Sequence, residues 1–285
     1  MSVTWQSDTP PETPKISPLG WILVVVRGVP LILVLATGLV LTGLLRLIER
    51  PLFGARRPVT PYITQCVCLL ALMLMGITCR VNGQVPKKAL ALVANHSSWL
   101  DIFALNACDR FYFVSKSEVA SWPGIGWLAR ATGTVFIRRR GVEARSQTQV
   151  LADRIALGHK LCLFPEGTST DGMRVLSFKS TPFAALFRDS ISSDALVQPV
   201  SVIYHAPSGA EPRFYGWWGD MGFGPHLIKL LARPGQGRIQ VMFHAPHKLS
   251  DYKDRKALAK ALEGVVRQGL SDGFASAIGS APSAS

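Results

Sequence analysis

The feature that most limits the fold is an apolar run, WILVVVRGVPLILVLATGLVLTGLLRLI, at residues 21–48. Gly28 to Leu45 carries no charge, and Arg27 interrupts the longer run. At about 1.5 Å per helical residue, those 18 residues reach roughly 27 Å, at the lower edge of what crosses a bilayer. A second run, ITQCVCLLALMLMGITC at 63–79, is a little short for a span. Arg46 near the end of the first run and Arg50, Arg56 and Arg57 after it make a basic connector, and Arg80, Lys87 and Lys88 follow the second run. A hairpin crossing the membrane is one arrangement. A two-helix insert lodged in one leaflet, with its arginines among the headgroups, is the other, and basic residues on every flank favour it. A pair of buried core helices is the plainer alternative. A secretory signal peptide is not indicated, because Asp8 and Glu12 precede the run, the run is too long, and no cleavage site follows.

The rest of the composition fits a domain with a membrane-seeking piece. Apolar residues make up 48% of the 285 and charged ones 17%, too apolar for a soluble domain alone and too polar for a multi-span transporter. Lys and Arg outnumber Asp and Glu by 31 to 18, a net charge of +13 that calls for an anionic partner: phospholipid headgroups, nucleic acid or an acidic protein. The five cysteines show no CxxC or Cys/His metal spacing, so reduced thiols are expected.

Four regions are expected: a disordered N-terminus at 1–18, a membrane-associated two-helix segment at 19–82, a folded domain at 83–270, and a flexible tail at 271–285. In the domain, short apolar runs predict strands at 89–94, 111–114, 134–137, 161–164, 197–204 and 238–243. Mixed stretches predict helices at 98–107, 125–131, 143–157, 182–188 and 254–270. Alternating strand and helix imply an α/β sandwich with a largely parallel central sheet, whose functional residues sit at strand ends.

One such end is VANHSSWLD, residues 93–101. Five helical steps would leave His96 and Asp101 roughly 140° apart. They meet if His96 lies in a loop and Ser97 or Ser98 caps a helix that carries Asp101 in its first turns. Asp101 would then fix the imidazole tautomer and leave the other nitrogen free to take a proton. A capping aspartate beside a solvated histidine is the bland alternative. No GxSxG or HExxH pattern is present, and Cys162 sits inside the apolar KLCLF run. A base without an enzyme nucleophile suggests that a substrate hydroxyl attacks an activated carbonyl directly. In LCLFPEGTSTDG, residues 161–172, Gly167 lets backbone amides approach an anion, and Glu166 and Thr168 are placed to hold a headgroup; a capped turn is the alternative. GTVFIRRRG, residues 133–141, delivers Arg138, Arg139 and Arg140 after a short strand, for phosphate or for anionic lipid.

Together these residues resemble the glycerolipid (1-acylglycerol-3-phosphate) acyltransferase family. Its N-H-x-x-x-x-D pattern is similar to Asn95–Asp101, its G-x-x-F-I-x-R block to residues 133–139, its F-P-E-G-T block to 164–168, and its later proline to Pro199. Lys116, Glu118, Pro123 and Gly126 fall in the family's order. The resemblance implies acyl transfer from an acyl carrier protein or coenzyme A thioester to a lysolipid hydroxyl, without a metal or cofactor. It makes His96 the base and Asp101 its orienting group, with Arg139 and Glu166-Gly167-Thr168 at the acceptor headgroup. It also implies a cytoplasmic (inner) membrane location with the domain facing the cytoplasm.

Two departures matter. Arg138 stands where the family often has an acid, and Ser169 where it often has arginine. FPEGTSTDG, with FKS at 178–180 and WWGD at 217–220, resembles the bacterial lyso-ornithine lipid O-acyltransferases, whose headgroup is an amino acid without phosphate. The expected activity is therefore O-acylation of lyso-ornithine lipid, with Arg138 offsetting part of the lost arginine. Acylation of lysophosphatidate, or of both acceptors, is the alternative; a non-catalytic membrane-binding module and a thioester hydrolase are remoter ones. No nucleic-acid recognition motif accompanies the arginines, so nucleic acid is not an expected partner.

Overall fold

A computed structural model describes residues 4–12, 15–86, 89–122, 124–137 and 144–279. Helix α1 (Pro18–Phe53) opens on Ser17, whose hydroxyl accepts the Gly20 N–H at 3.1 Å, with Pro18 at the first helical position. It is longer at both ends than the uncharged stretch, and at about 54 Å it exceeds the roughly 30 Å of a bilayer core. Of its most apolar 18-residue window only 17% is buried, which separates it from a core helix. Ile32, Leu33, Leu47 and Ile48 are all more than 60% exposed. Helix α2 (Thr60–Met75) folds back on α1; among the described residues α1 alone is long and apolar enough to cross a membrane, where a membrane segment of two helices was expected. The helices touch at Gly38, where a Cβ would lie 2.4 Å from Val67. Buried Glu49 ties the hairpin, accepting from the N–H groups of Val59 and Thr60 and from the Thr60 hydroxyl.

Strand β1 (Thr78–Asn82) follows α2 within three residues, so the sheet begins before the expected boundary at 83. After it come β2 (Ala89–Ala94), α3 (Leu100–Cys108), β3 (Tyr112–Lys116), α4 (Ile125–Thr132), β4 (Val135–Ile137), α5 (Ala144–Ala156) and β5 (Leu161–Leu163). The chain continues through β6 (Leu196–His205), α6 (Phe223–Ala232), β7 (Arg238–Phe243), β8 (His247–Lys248) and α7 (Arg255–Gly279). The eight strands run β1-β7-β6-β2-β5-β3-β4, with β8 beside β6. Among the described residues only the pairs of β6 with β7 and with β8 are antiparallel, as the expectation of a largely parallel sheet requires.

Side-chain alternation divides the core. Leu92, Ala94, Val200 and Val202 face α1, α2, α3 and α6, while Ala91, Val93, Val197 and Ile203 face α5 and α7. Arg27, which interrupts the apolar run near its start, anchors α1 to this domain. Its guanidinium donates to the carbonyls of Leu231, Arg233 and Pro234 at the end of α6, as a cation at a helix C-terminus should.

Several expectations are corrected. Residues 181–187 form a 3₁₀ turn rather than an α-helix. Helix α7 continues through 271–279, where a flexible tail was expected, and Phe274 packs on His205 with ring centroids 6.0 Å apart. Residues 4–12, expected to be disordered, carry no helix or strand but lie against the domain through Trp5, Gln6, Ser7 and Thr9.

Candidate active site

Strand β2 is central, and its last four residues are buried. Past the register pair Ala94↔Val200, Asn95 extends the ladder with its side chain. Its amide donates to the Val202 carbonyl at 2.9 Å and accepts the Val202 N–H at 2.8 Å. His96 therefore leaves the sheet at a fixed point. Its N–H donates to Oε1 of Glu166 at 2.7 Å, and its carbonyl accepts the Thr170 N–H at 2.9 Å, which clamps it to the loop after β5.

Helix α3 then starts at Leu100, with no side-chain cap. The expected serine cap is absent because Asp101 reaches backwards instead. Its Oδ2 accepts from the N–H groups of Ser97 at 2.8 Å and Ser98 at 3.1 Å. The same oxygen lies 2.7 Å from Nδ1 of His96. Tyr204, from β6, donates its hydroxyl to Oδ1 at 2.5 Å. Four donors thus converge on a fully buried carboxylate. Burial, with the carboxylate alongside, pushes the Tyr204 phenol well above its ordinary range and keeps it a donor.

Since Oδ2 accepts, Nδ1 carries the ring proton and Nε2 is left with a lone pair. The ring stacks on Phe164 at 4.3 Å and 21°, which fixes its tilt, and its side chain keeps 22% exposure. The imidazole is thus oriented on its Nδ1 side and part-exposed, an arrangement that suits a base. The bland alternative of a solvated histidine is excluded by the aspartate contact and the stacking.

Glu166 is 1% exposed, and its two oxygens accept from His96 N and Leu176 N. It ties two loops together, and the headgroup role expected for it gives way to that one. Burial pushes its carboxyl up to about 8, against the two backbone donors that pull it down. Gly167 has φ of +75°, a conformation that favours glycine. Thr168 lies on the open side of the loop, where its hydroxyl accepts from Trp5 N at 3.2 Å. Cys162 is fully buried and its thiol is pushed up by burial, so no thiolate nucleophile is offered from β5. Gly126 is required by a close approach, since a Cβ there would lie 2.2 Å from the Ala120 carbonyl oxygen. Arg138, Arg139 and Pro123 lie outside the described residues.

Tyr204 escaped the sequence reading because it sits inside VQPVSVIYH, a run whose alternation marks it only as a core aromatic. The N-terminal contact with Thr168 left no signal in a segment rich in Pro, Ser and Thr. In chemical terms, the site holds a part-exposed imidazole at a strand end, braced by a buried carboxylate.

The family described as Acyltransferase matches residues 76–203. The chain is 52% identical over 266 residues to the lyso-ornithine lipid O-acyltransferase of Rhodobacter capsulatus, covering 93% of this chain and 96% of that protein. It is 30% identical to the 1-acyl-sn-glycerol-3-phosphate acyltransferase of Neisseria gonorrhoeae, covering 71% of this chain and 78% of that protein. The crystal structure of the 1-acyl-sn-glycerophosphate acyltransferase of Thermotoga maritima shares the fold, with a TM-score of 0.54 at 20% identity over 86% of this chain and 97% of that one.

Proposed function

Because the chain belongs to the acyltransferase family and is an acyltransferase, we propose that it moves a fatty acyl group from a thioester to the free hydroxyl of lyso-ornithine lipid, forming ornithine lipid. The observation that carries this reading is the part-exposed His96 side chain, with Nδ1 held 2.7 Å from buried Asp101 and Nε2 left without a partner among the described residues. Nε2 takes the proton of the acceptor hydroxyl, and the oxygen attacks the thioester carbonyl. The tetrahedral intermediate collapses, the carbon–sulfur bond breaks, and the imidazolium returns its proton to the leaving thiolate. Asp101 stabilises the imidazolium between these events.

The donor is acyl carrier protein or coenzyme A, both anionic and both suited to a chain of net charge +13. The Gly167-Thr168 stretch borders the acceptor, and Glu166 acts there by holding His96. Arg138 and Arg139 are assigned to the headgroup on the motif alone. The exposed apolar face of α1 supports association with a membrane; in this reading that is the cytoplasmic membrane, with the domain on the cytoplasmic side where both donors are found.

Lysophosphatidate as acceptor is the second reading, supported by the likeness to the Neisseria protein. Thiol release from acyl thioester on adding either lysolipid to the purified protein tests the class of reaction. Release that requires a lysolipid supports acyl transfer; an equal rate without one means hydrolysis, and no release at all leaves only a binding module.

A further inference from the structure

The N-terminal segment lies against the loops that surround His96. Besides the bond from Trp5 N to the Thr168 hydroxyl, the Trp5 indole meets Trp218 edge to face, with centroids 6.3 Å apart. The guanidinium of Arg174 sits over the Trp5 ring, 5.1 Å from its centroid. Gln6 Nε2 donates to Oδ2 of Asp220 at 3.2 Å. Arg213 fastens the segment further along, donating to the hydroxyls of Ser7 at 3.1 Å and Thr9 at 2.7 Å. Gly219 makes room for it: a Cβ there would lie 2.3 Å from Gln6 Oε1.

Arg174 is set in place before any ligand arrives. Its Nε and Nη2 donate to the two oxygens of Asp171 at 3.2 and 3.1 Å. The Asp171 side chain is fully buried while that of Arg174 is 53% exposed. A bidentate pair of this kind fixes the guanidinium plane and leaves Nη1 for a ligand. The loop that carries it is locked to the catalytic loop: Thr170 N donates to the His96 carbonyl, and Gly172 packs beside Ser97. Ser169, where related sequences often place an arginine, is in this same loop.

Two opposite charges therefore stand on consecutive residues of the N-terminal segment, Arg174 against Trp5 and Asp220 against Gln6. An ornithine headgroup, joined through an amide to its fatty acid, carries one carboxylate and one ammonium. A phosphate monoester carries negative charge only and is opposed by Asp220. We propose that Trp5, Arg174 and Asp220 form the acceptor's headgroup site, with Arg174 taking the carboxylate of an amino-acid headgroup and Asp220 its ammonium. The N-terminal segment is the wall that holds the two charges in place. The site rests on the acceptor assigned above, and it supplies from Arg174 the guanidinium that Ser169 lacks.

The test compares wild type with Arg174→Gln, which still donates to Asp171, and Asp220→Asn, which still accepts from Gln6. Binding of lyso-ornithine lipid and of lysophosphatidate is measured for each protein in one detergent, alongside KM and kcat for acyl transfer. Arg174→Gln is expected to weaken both acceptors about tenfold, the usual effect of a charge-assisted hydrogen bond. Asp220→Asn is expected to weaken lyso-ornithine lipid and strengthen lysophosphatidate, each about three- to fivefold, with kcat unchanged. Turnover of lyso-ornithine lipid with unaltered KM in both variants would overturn the headgroup site and leave the reaction standing. Absent turnover in wild type, with both binding shifts as stated, would remove the reaction and keep the site.

Discussion

Replacing Asp101 by asparagine separates the charge of the dyad from its shape. Three donors meet Oδ2 of Asp101, from His96, Ser97 and Ser98, and the Tyr204 hydroxyl alone meets Oδ1. An asparagine can therefore put its oxygen where Oδ2 was and its amide group towards Tyr204, whose hydroxyl turns to accept. The fold and the histidine tautomer survive, but the negative charge beside the developing imidazolium is gone. With Nδ1 and Oδ2 2.7 Å apart, the two charge centres are about 4 Å from one another, which at an effective dielectric near 20 is worth about 4 kcal/mol. Each 1.36 kcal/mol is about tenfold in rate, so kcat is expected to fall on the order of 10³-fold. The acceptor does not touch Asp101, so KM should change little. The assay is steady-state thiol release at saturating lysolipid, with a melting curve for each protein. A variant that melts normally and keeps kcat within about threefold of wild type would refute the role given to Asp101.

Tyr204→Phe removes one donor from the same buried carboxylate. It is expected to cost about 1–3 kcal/mol of stability and to lower kcat, seen as a lower melting temperature and a slower turnover; unchanged values of both would remove Tyr204 from the account. His159, buried and stacked on Tyr112 at 4.1 Å, is pushed down to about 4 by burial and then by Arg154, Arg57 and Arg46. Between about 6.5 and 4 the unfolded chain binds the proton and the folded one does not, so its contribution to stability is complete above 6.5 and is lost on acidification to about 4. Thermal denaturation across that range should show a shallower loss in His159→Gln than in wild type, and parallel curves would contradict the assignment. Lysine at both Ile32 and Leu33, each exposed on α1, is expected to reduce co-sedimentation with vesicles while the domain still melts cooperatively; undiminished sedimentation would move the membrane contact elsewhere.

Much of this fold was legible because its signals are local. ALALVA and LCL are short buried strands with parallel neighbours, and such strands read as continuous apolar runs. Strand β1 was hidden at the end of the second apolar run, since TCRVN gains its strand character only by pairing with β7. Helix α6 was hidden in a stretch of Gly, Pro and Trp and is fastened by Arg27, a residue about 200 positions away. The dyad was legible as a spacing, but the way Asp101 reaches back to Ser97 and Ser98 was not, because a side chain here takes over the work of a helix cap. Tyr204 and Trp5 lie about a hundred residues or more from Asp101 and Thr168, and neither pairing has a sequence period to reveal it. The arginine run was legible as charge only.

The central claim, that His96 serves as base for acylation of a lyso-ornithine lipid hydroxyl, is tested most directly by following label from acyl carrier protein thioester into lipid. Wild type and His96→Ala membranes are offered lyso-ornithine lipid and lysophosphatidate in parallel. Labelled ornithine lipid from wild type, with at least about a hundredfold less from His96→Ala, is the expected result. Equal product from the two proteins would contradict the assignment of the base, and product from lysophosphatidate alone would contradict the assignment of the acceptor.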